Sequence, residues 1–402
     1  MGTVTLENML DFLSTGELYD ICWELEVDGE KRDWGFFEKP EILPHETAVF
    51  SLPESVLQGF EGDAVLNLIY LQNRQLEMTP EGYEAGRDQV ILSRKQGEEP
   101  YRRTPDGKDA VLDCRETEDF FVISGKDFRY VFDRFEGTFT SLARESVLVT
   151  DQPVRLNLWR APMDNDRNIR IEWEKAGYNR MQTKVLECGM EKETDGRGAV
   201  CKAQITVRLQ LVASWVQPIF AGRVIWSVRG DGSIRVRVEG DRETAMPFLP
   251  RFGLRLFLPK EFDRTQYLGY GPMESYCDKH QAARFGNFGA SCQELYEPYL
   301  KPQENGSRWG CGYVELSGGD GRWLRASAVG NGFSFNASRY SQEELTRKGH
   351  CYELEKSPYT ILCLDGAMSG CGSNSCGPRL ARRYQVNEKH LEMEFLLEMG
   401  AR

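Results

Sequence analysis

Apolar and polar residues alternate with period two along most of this chain. AQITVRLQLVAS (203–214), GRVIWSVRGDGSIRVRVEG (222–240) and PRFGLRLFLP (250–259) keep the alternation over long runs, which sets one face of each strand on a core and the other in water. ICWELEV and KRDWGFF flank Asp28-Gly29, a tight-hairpin signal because both central residues of a type I′ turn need positive φ. AVFSLP, DAVLNLIYLQN and DQVILSR continue this first meander to Arg94. Residues 1–94 are therefore predicted to form an antiparallel sandwich of the immunoglobulin-like kind. Residues 95–117 are charged, rich in turn residues and without periodicity, and read as a linker or a strap lying across a surface.

From Glu118 the strands resume. FFVISGKDFRYVFDRFEGTFTSLA (120–143) predicts two consecutive hairpins, about Ser124-Gly125-Lys126 and Glu136-Gly137, and LEMEFLLEM (391–399) a closing strand. IEWEKAGYNRM (171–181) is the one helix that the pattern supports. Residues 118–402 thus hold about fifteen strands, so the fold class is all-β, with a large antiparallel two-sheet sandwich after the smaller one. The absence of alternating βα units excludes a parallel-sheet enzyme or a (β/α)₈ barrel.

Composition narrows the partners. The 402 residues are 40% hydrophobic, enough for ordinary cores, and carry a net charge of −12. That charge disfavours nucleic acid and anionic membrane surfaces. No run of roughly 18 apolar residues occurs, and MGTVTLENML has neither the basic nor the apolar region of a signal peptide, so the expected localisation is cytoplasmic. Eleven cysteines, an odd number without a CxxC spacing, read as reduced thiols rather than a disulfide framework. His45, His280, His350 and His390 are too scattered to form a local metal motif, and no metal site or cofactor is expected in this chain.

Four Gly- or Pro-marked loops break the strand periodicity: NLWRAPMDNDRN (157–168), YLGYGPMESYCDKHQAARFGNF (267–288), YEPYLKPQENGSRWG (296–310) and DGAMSGCGSNSCGP (365–378). Sandwich folds carry their sites on such loops. Aromatic rings with Asn, Asp, Glu and Arg suit a sugar, whose C–H faces stack on rings while its hydroxyls need planar partners. The plainer reading is that the Asp and Asn side chains cap their own turns. Asp164, Asn165 and Asp166 are open to both readings. Glu274 and Asp278 offer a carboxylate pair, but four residues apart on a loop fixes no separation between them. Cys371 and Cys376 have no second Cys or His pair for a metal, and Ser369, Ser373 and Ser375 have no nucleophile-elbow context.

WRAPMDND, YLGYGPMESYCDK, YEPYLKPQENGSRWG and FSFNASRYSQEEL (333–345), in this order, resemble the C-terminal region of the large bacterial β-galactosidases of glycoside hydrolase family two. The resemblance covers nearly the whole chain. It implies an immunoglobulin-like domain at 1–94 and, at 118–402, the small-chain domain with the galactose-mutarotase-like supersandwich fold. It places the two catalytic glutamates on a barrel outside this chain, so no residue here inherits a catalytic role. It implies a chain that completes the active-site pocket and the assembly of an enzyme acting on terminal β-D-galactosides. The implied partners are that barrel and the N-terminal domains, in the same enzyme or in a separate large subunit, with a homo-oligomer possible for the full enzyme. The family's Mg and Na ions belong to sites outside this region. The implied substrate contacts are Asp164, Asn165, Asp166 and Arg167 on the first loop and Asn374, Ser375 and Cys376 on the last. Many relatives present a Trp after an acidic-Ser sequence on that last loop, where this chain, allowing a one-residue gap, has Ser375-Cys376; the stacking ring is missing or supplied elsewhere. The competing readings are a free-standing carbohydrate-binding module and an epimerase-like sugar-binding protein.

Overall fold

A computed structural model describes residues 2–38, 41–95, 100–103, 110–145 and 147–401. The chain divides into two compact units, Met1–Gln96 with Phe285–Asn287 and Gly97–Arg284 with Phe288–Arg402. In the first unit a four-stranded sheet has the order Glu30–Phe36, Tyr19–Val27, Ala64–Gln72, Glu84–Ser93. Asp28 and Gly29 turn the first hairpin with φ of 52° and 78°, the type I′ signature. AVFSLP does not extend that sheet. Its strand Thr47–Ser51 pairs with Thr3–Glu7 as a separate ribbon. Leu6 from the ribbon and Ile21, Trp23, Leu25, Leu66 and Leu68 from the sheet share one core.

The second unit holds nineteen strands among its described residues, in antiparallel sheets of nine, five and five. The nine-stranded sheet runs Gln182–Thr194, Val200–Val212, Phe220–Arg229, Ile234–Arg242, His390–Gly400, Trp323–Ala328, Tyr313–Gly318, Phe262–Gly271, Arg284–Ser291. The C-terminal strand therefore enters the middle of this sheet rather than its edge. One five-stranded sheet runs from Val147–Thr150 through the two expected hairpins to Asp113–Glu116. The other runs Arg155–Asn157, Arg251–Pro259, Tyr359–Met368, Phe333–Ser338, Arg308–Cys311.

Aromatic contacts show how these layers meet. Phe139 of the first five-stranded sheet packs edge-on to Trp226 of the nine-stranded sheet at 5.3 Å between ring centres. Phe335 and Phe333 of the second approach Tyr267 and Phe395 at 5.1 and 5.4 Å. Each contact joins a five-stranded sheet to the same nine-stranded one, and edge-to-face rings hold the layers in a fixed offset. The result is the large sandwich that the alternation predicts. No helix among the described residues is long and apolar enough to cross a membrane.

The expected helix is shorter than its pattern and starts earlier. It spans Ile169–Ala176, and Gly177 at φ 82° ends it, the left-handed stop that glycine adopts at least strain. Tyr178–Arg180 then forms a single 3₁₀ turn. Within 95–117, residues 96–99 and 104–109 lie outside the described residues, and Asp113–Glu116 is a strand. Residues 100–103 lie along the outer face of the nine-stranded sheet. Tyr101 packs on Tyr313, its carbonyl accepts from Ser327 Oγ at 2.8 Å, and the Arg103 amide donates to Glu398 at 2.9 Å. The Arg103 guanidinium lies over Trp323 at 4.0 Å and pairs with the buried Glu315.

Glu315 is also paired with Arg325 at 3.1 Å, so Arg103→Ala removes one of two guanidiniums from a buried carboxylate together with the contact to Trp323. It is expected to lower the unfolding free energy of the second unit by about 1 kcal/mol, the worth of one net hydrogen bond. The readout is a lower urea midpoint at unchanged slope, and an unchanged midpoint would refute the strap's role.

Candidate functional site

The four loops come together at one edge of the second unit. The first leaves the edge strand Arg155–Asn157 and turns through a 3₁₀ segment, Asp164–Asp166, into the helix Ile169–Ala176. Trp173 on that helix is fully buried, donates to the Phe248 carbonyl at 2.8 Å and meets Trp159 edge-on. This packing drives Arg160 inward until it is 0% exposed.

All five N–H donors of the Arg160 guanidinium find an acceptor. Nε and one terminal nitrogen grip Asp166 at 3.1 and 2.8 Å, and that nitrogen also donates to the Gly370 carbonyl. The other donates to the Ser369 carbonyl and to Cys371 Sγ. Burial disfavours the charge, but the adjoining Asp166 carboxylate outweighs it and raises the guanidinium's pKa further. Such a two-pronged fit to a carboxylate is particular to arginine. It fastens the first loop to the last.

A second buried arginine does the same one layer away. Arg251 grips Asp365 at 3.0 and 2.8 Å and reaches Glu304 at 3.4 Å, which ties the strand Arg251–Pro259 to the third and fourth loops. The Glu304 amide donates to the Ala161 carbonyl at 3.0 Å, and Asn336 donates to the Asn305 carbonyl.

The Gly-rich loop is held from its other side by Asp278. Its carboxylate accepts from the amides of Cys371, Gly372 and Ser373 at 2.7, 3.1 and 2.9 Å and from the Ser373 hydroxyl at 2.7 Å. Burial pushes the Asp278 pKa up, yet these hydrogen bonds, led by the Cys371 amide, hold it below the usual value. Glu274 joins the second and third loops. It accepts from Lys279 and the Tyr299 hydroxyl on one oxygen and from the Gly306 amide, at 2.8 Å, on the other. Burial disfavours the Lys279 charge, but the bond to Glu274 outweighs it and raises its pKa. Glu274 and Asp278 are therefore structural carboxylates. Asp278, ionised and fully hydrogen-bonded, has no proton to give as a general acid at neutral pH.

A cleft of about 1000 Å³ opens at this edge, lined by Asn165, Glu274, Asp278, Lys279, His280 and Cys371 among others. A pocket of about 190 Å³ shares Asn165, Glu274, Lys279 and Cys371 with it and adds Tyr276, Tyr299 and Glu304. His280 donates from Nδ1 to the Tyr276 carbonyl at 2.9 Å and stacks on Trp309 at 4.5 Å. Such a surface offers hydroxyl partners on several sides.

The residues expected from the sequence divide. Asn165 lines both cavities and donates to the Cys371 carbonyl at 3.0 Å. Asp164 lines the smaller one and is exposed, paired with Lys301 at 3.1 Å. Asp166 is 1% exposed, and both its oxygens are taken by Arg160 and the Met163 amide. Arg167 is exposed. Asn374 is buried and donates to the Asn165 carbonyl at 3.2 Å. Ser375 and Cys376 are exposed on the loop and line neither cavity. Cys376 holds φ 64°, a left-handed conformation that strains any residue with a Cβ. Cys371 is buried, with burial driving its pKa far up, an inert thiol. Among the described residues, none of the eleven cysteines is in a disulfide. Among the described residues, no cluster of three or more His, Cys, Asp or Glu is placed to hold a metal ion.

Lys279, Tyr276, Tyr299 and Glu304 are not singled out by sequence, although each lies inside a motif loop. Their roles come from long-range contacts. The available signal was the density of planar polar side chains around GPMESY and PQENG.

Comparison with known proteins follows the same division. The family model described as Beta galactosidase small chain matches residues 124–397, and that described as Beta-galactosidase, domain 4 matches residues 4–93. A β-galactosidase of Actinobacillus pleuropneumoniae is 32% identical over 392 residues, covering 98% of this chain and 37% of the relative. One of Staphylococcus xylosus is 32% identical over 399 residues, covering 98% of this chain and 38% of the relative. The chain thus spans less than two-fifths of the length of these curated relatives. A galactose 1-epimerase structure from Lactobacillus acidophilus aligns over 73% of this chain and 100% of its own, at TM-score 0.36 and 8% identity, too remote to carry an argument.

Two outcomes follow from the loop anchors. Asp166→Ala leaves the Arg160 charge buried without its counter-ion and is expected to destabilise the second unit by about 3–5 kcal/mol, measured by denaturant unfolding. Asp278, with its folded pKa depressed, contributes its anchoring in full above the unfolded aspartate value of about 3.9 and loses it as pH falls through the lower folded value. Amide exchange at Cys371, Gly372 and Ser373 should stay protected down to that window, whereas Asp278→Ala should expose these amides at every pH. Protection unchanged in the variant would remove Asp278 as the anchor.

Proposed function

Because the chain belongs to the β-galactosidase small-chain family, whose model spans residues 124–397, we propose that it is the C-terminal, non-catalytic portion of a β-galactosidase. In this reading the four-loop edge faces the galactoside, closes one side of the active-site pocket and contributes to assembly with the catalytic domains. The observation that carries it is the convergence of the four motif loops on a cleft of about 1000 Å³ rimmed by hydrogen-bonding side chains. The short share of each relative that the chain spans agrees with a part whose catalytic machinery lies elsewhere.

The chemistry assigned to this edge is binding and orientation. Asn165, Asp164 and Lys279 present donors and acceptors to sugar hydroxyls. The buried arginine pairs keep those groups still, so little ordering entropy is lost when a sugar docks. Acid–base steps belong to the catalytic domains, because the two carboxylates at the cleft are occupied by structural hydrogen bonds. The proposed substrate is a terminal β-D-galactoside, the proposed partner is the catalytic part of the same enzyme or a separate large subunit, and the proposed location is the cytoplasm.

The test is complementation. The chain alone should give no turnover of a chromogenic β-galactoside, and the remainder of the Actinobacillus pleuropneumoniae relative without its matching C-terminal part should be weak or inert. Joining or mixing the two should restore hydrolysis. Turnover by the chain alone, or no gain on joining, would overturn the proposal.

A further inference from the structure

Arg160 and Arg251 are enclosed with Asp166, Asp365 and Glu304, all five buried. Each arginine grips an aspartate of its own, and Glu304 is left with a single contact to Arg251.

Glu304 is 4% exposed, and only its Oε2 is bonded, to Arg251 at 3.4 Å. Its Oε1 is buried without a partner, and so is the hydroxyl of Tyr276, itself 3% exposed. Both residues line the same pocket of about 190 Å³. Buried polar atoms are nearly always paired, so two orphans on one pocket mark a place built for a polar guest. One ordered water, about 30 Å³ in the liquid, fills only a fraction of it.

The chemistry of the orphans selects the guest. A carboxylate oxygen only accepts, while a phenol both donates and accepts. A group that itself donates and accepts satisfies both. An anion offers no donor to the Glu304 oxygen, and a purely cationic group offers no acceptor to the phenolic proton. Hydroxyls fit. The half-buried Tyr299 supplies an aromatic ring at the same pocket, a surface for the C–H face of a pyranose.

We infer that Glu304 and Tyr276 form a saccharide-hydroxyl subsite contained within this chain, with Glu304 Oε1 accepting from and the Tyr276 hydroxyl donating to hydroxyls of a bound sugar. The inference rests on the proposed reading of this edge as sugar-facing, but it needs no catalytic partner. The chain by itself binds a saccharide here, and the small pocket reads hydroxyls while the adjoining cleft holds the remainder of the molecule.

The unpartnered hydroxyl gives the test its discrimination. A phenol that serves the fold contributes stability, and one that waits for a ligand does not, so Tyr276→Phe should leave the melting temperature of the ligand-free chain unchanged or raised. The same variant should weaken sugar binding by roughly three- to tenfold, the worth of one net hydrogen bond. Calorimetric titration of the 402-residue chain with lactose and with galactose should show saturable binding of at least one. Glu304→Gln, which keeps the shape but brings a donor to the acceptor position, should weaken it as well. No saturable binding of either sugar, binding unchanged in Tyr276→Phe, or a lowered melting temperature in that variant would each overturn the inference, as would heats that follow added sodium chloride instead of sugar. Because no galactoside is hydrolysed in this experiment, its failure is separable from failure of the complementation that tests the proposed function.

Discussion

The buried pair of Arg160 and Asp166 is the interaction on which the site depends. Burying a guanidinium is tolerable only when a carboxylate balances its charge and each N–H has an acceptor. Asp166 supplies the charge balance, and the carbonyls of Ser369 and Gly370 with Cys371 Sγ supply the remaining acceptors. Those acceptors sit some two hundred residues away in sequence, on the last of the four loops. A demand set by one side chain thus fixes the separation of two segments that no local rule would bring together. The polar density of NLWRAPMDNDRN is explained chiefly by this demand, with Asn165 left over for the cleft.

The pattern is repeated. Arg251 meets the same demand through Asp365 and Glu304, so the third loop is drawn to the strand behind the first. Asp278 inverts the polarity. There a carboxylate is satisfied by four N–H and O–H donors of the Gly-rich loop, and the flexible backbone of Gly370 and Gly372 can approach because it carries no Cβ. A side chain at Gly370 would meet the Asp278 carboxylate at 2.3 Å. Glycines here serve close approach, and the loop they form is held rather than free.

Period-two alternation made the sheets legible because one face of each strand is buried against a continuous core. The same pattern said nothing about order within a sheet. LEMEFLLEM reads as a closing strand, yet its place between Ile234–Arg242 and Trp323–Ala328 is set by pairings across some one hundred and fifty and some seventy residues. The helix end was misplaced because the apolar spacing runs on through Tyr178, while Gly177 stops the backbone. At the site, the motif loops were visible as dense clusters of planar polar residues. Which member of each cluster faces inward was not, since Asp164, Asn165 and Asp166 are chemically near-equivalent and only the turn decides that Asp166 meets Arg160. Lys279 and Tyr276 stayed hidden for a similar reason. Their significance comes from Glu274 and Glu304, whose positions depend on the arginine pairs.

Rigidity at this edge has a consequence for how a sugar would be recognised. Hydroxyl groups are hydrated in water, so a protein gains affinity for them only by presenting partners that need no rearrangement. Loops seldom meet that requirement, because each residue fixed on binding costs about 1–2 kcal/mol in backbone entropy. Here the ordering is carried by folding: the two arginine pairs and the Asp278 cradle hold the loops before any ligand arrives. The two unpaired polar atoms left at the smaller pocket then become intelligible. An edge with every polar atom paired internally would be equally rigid but would present nothing to a guest. Leaving Glu304 Oε1 and the Tyr276 hydroxyl unmatched inside an otherwise satisfied network keeps the frame fixed while reserving hydrogen-bonding capacity at a single pocket.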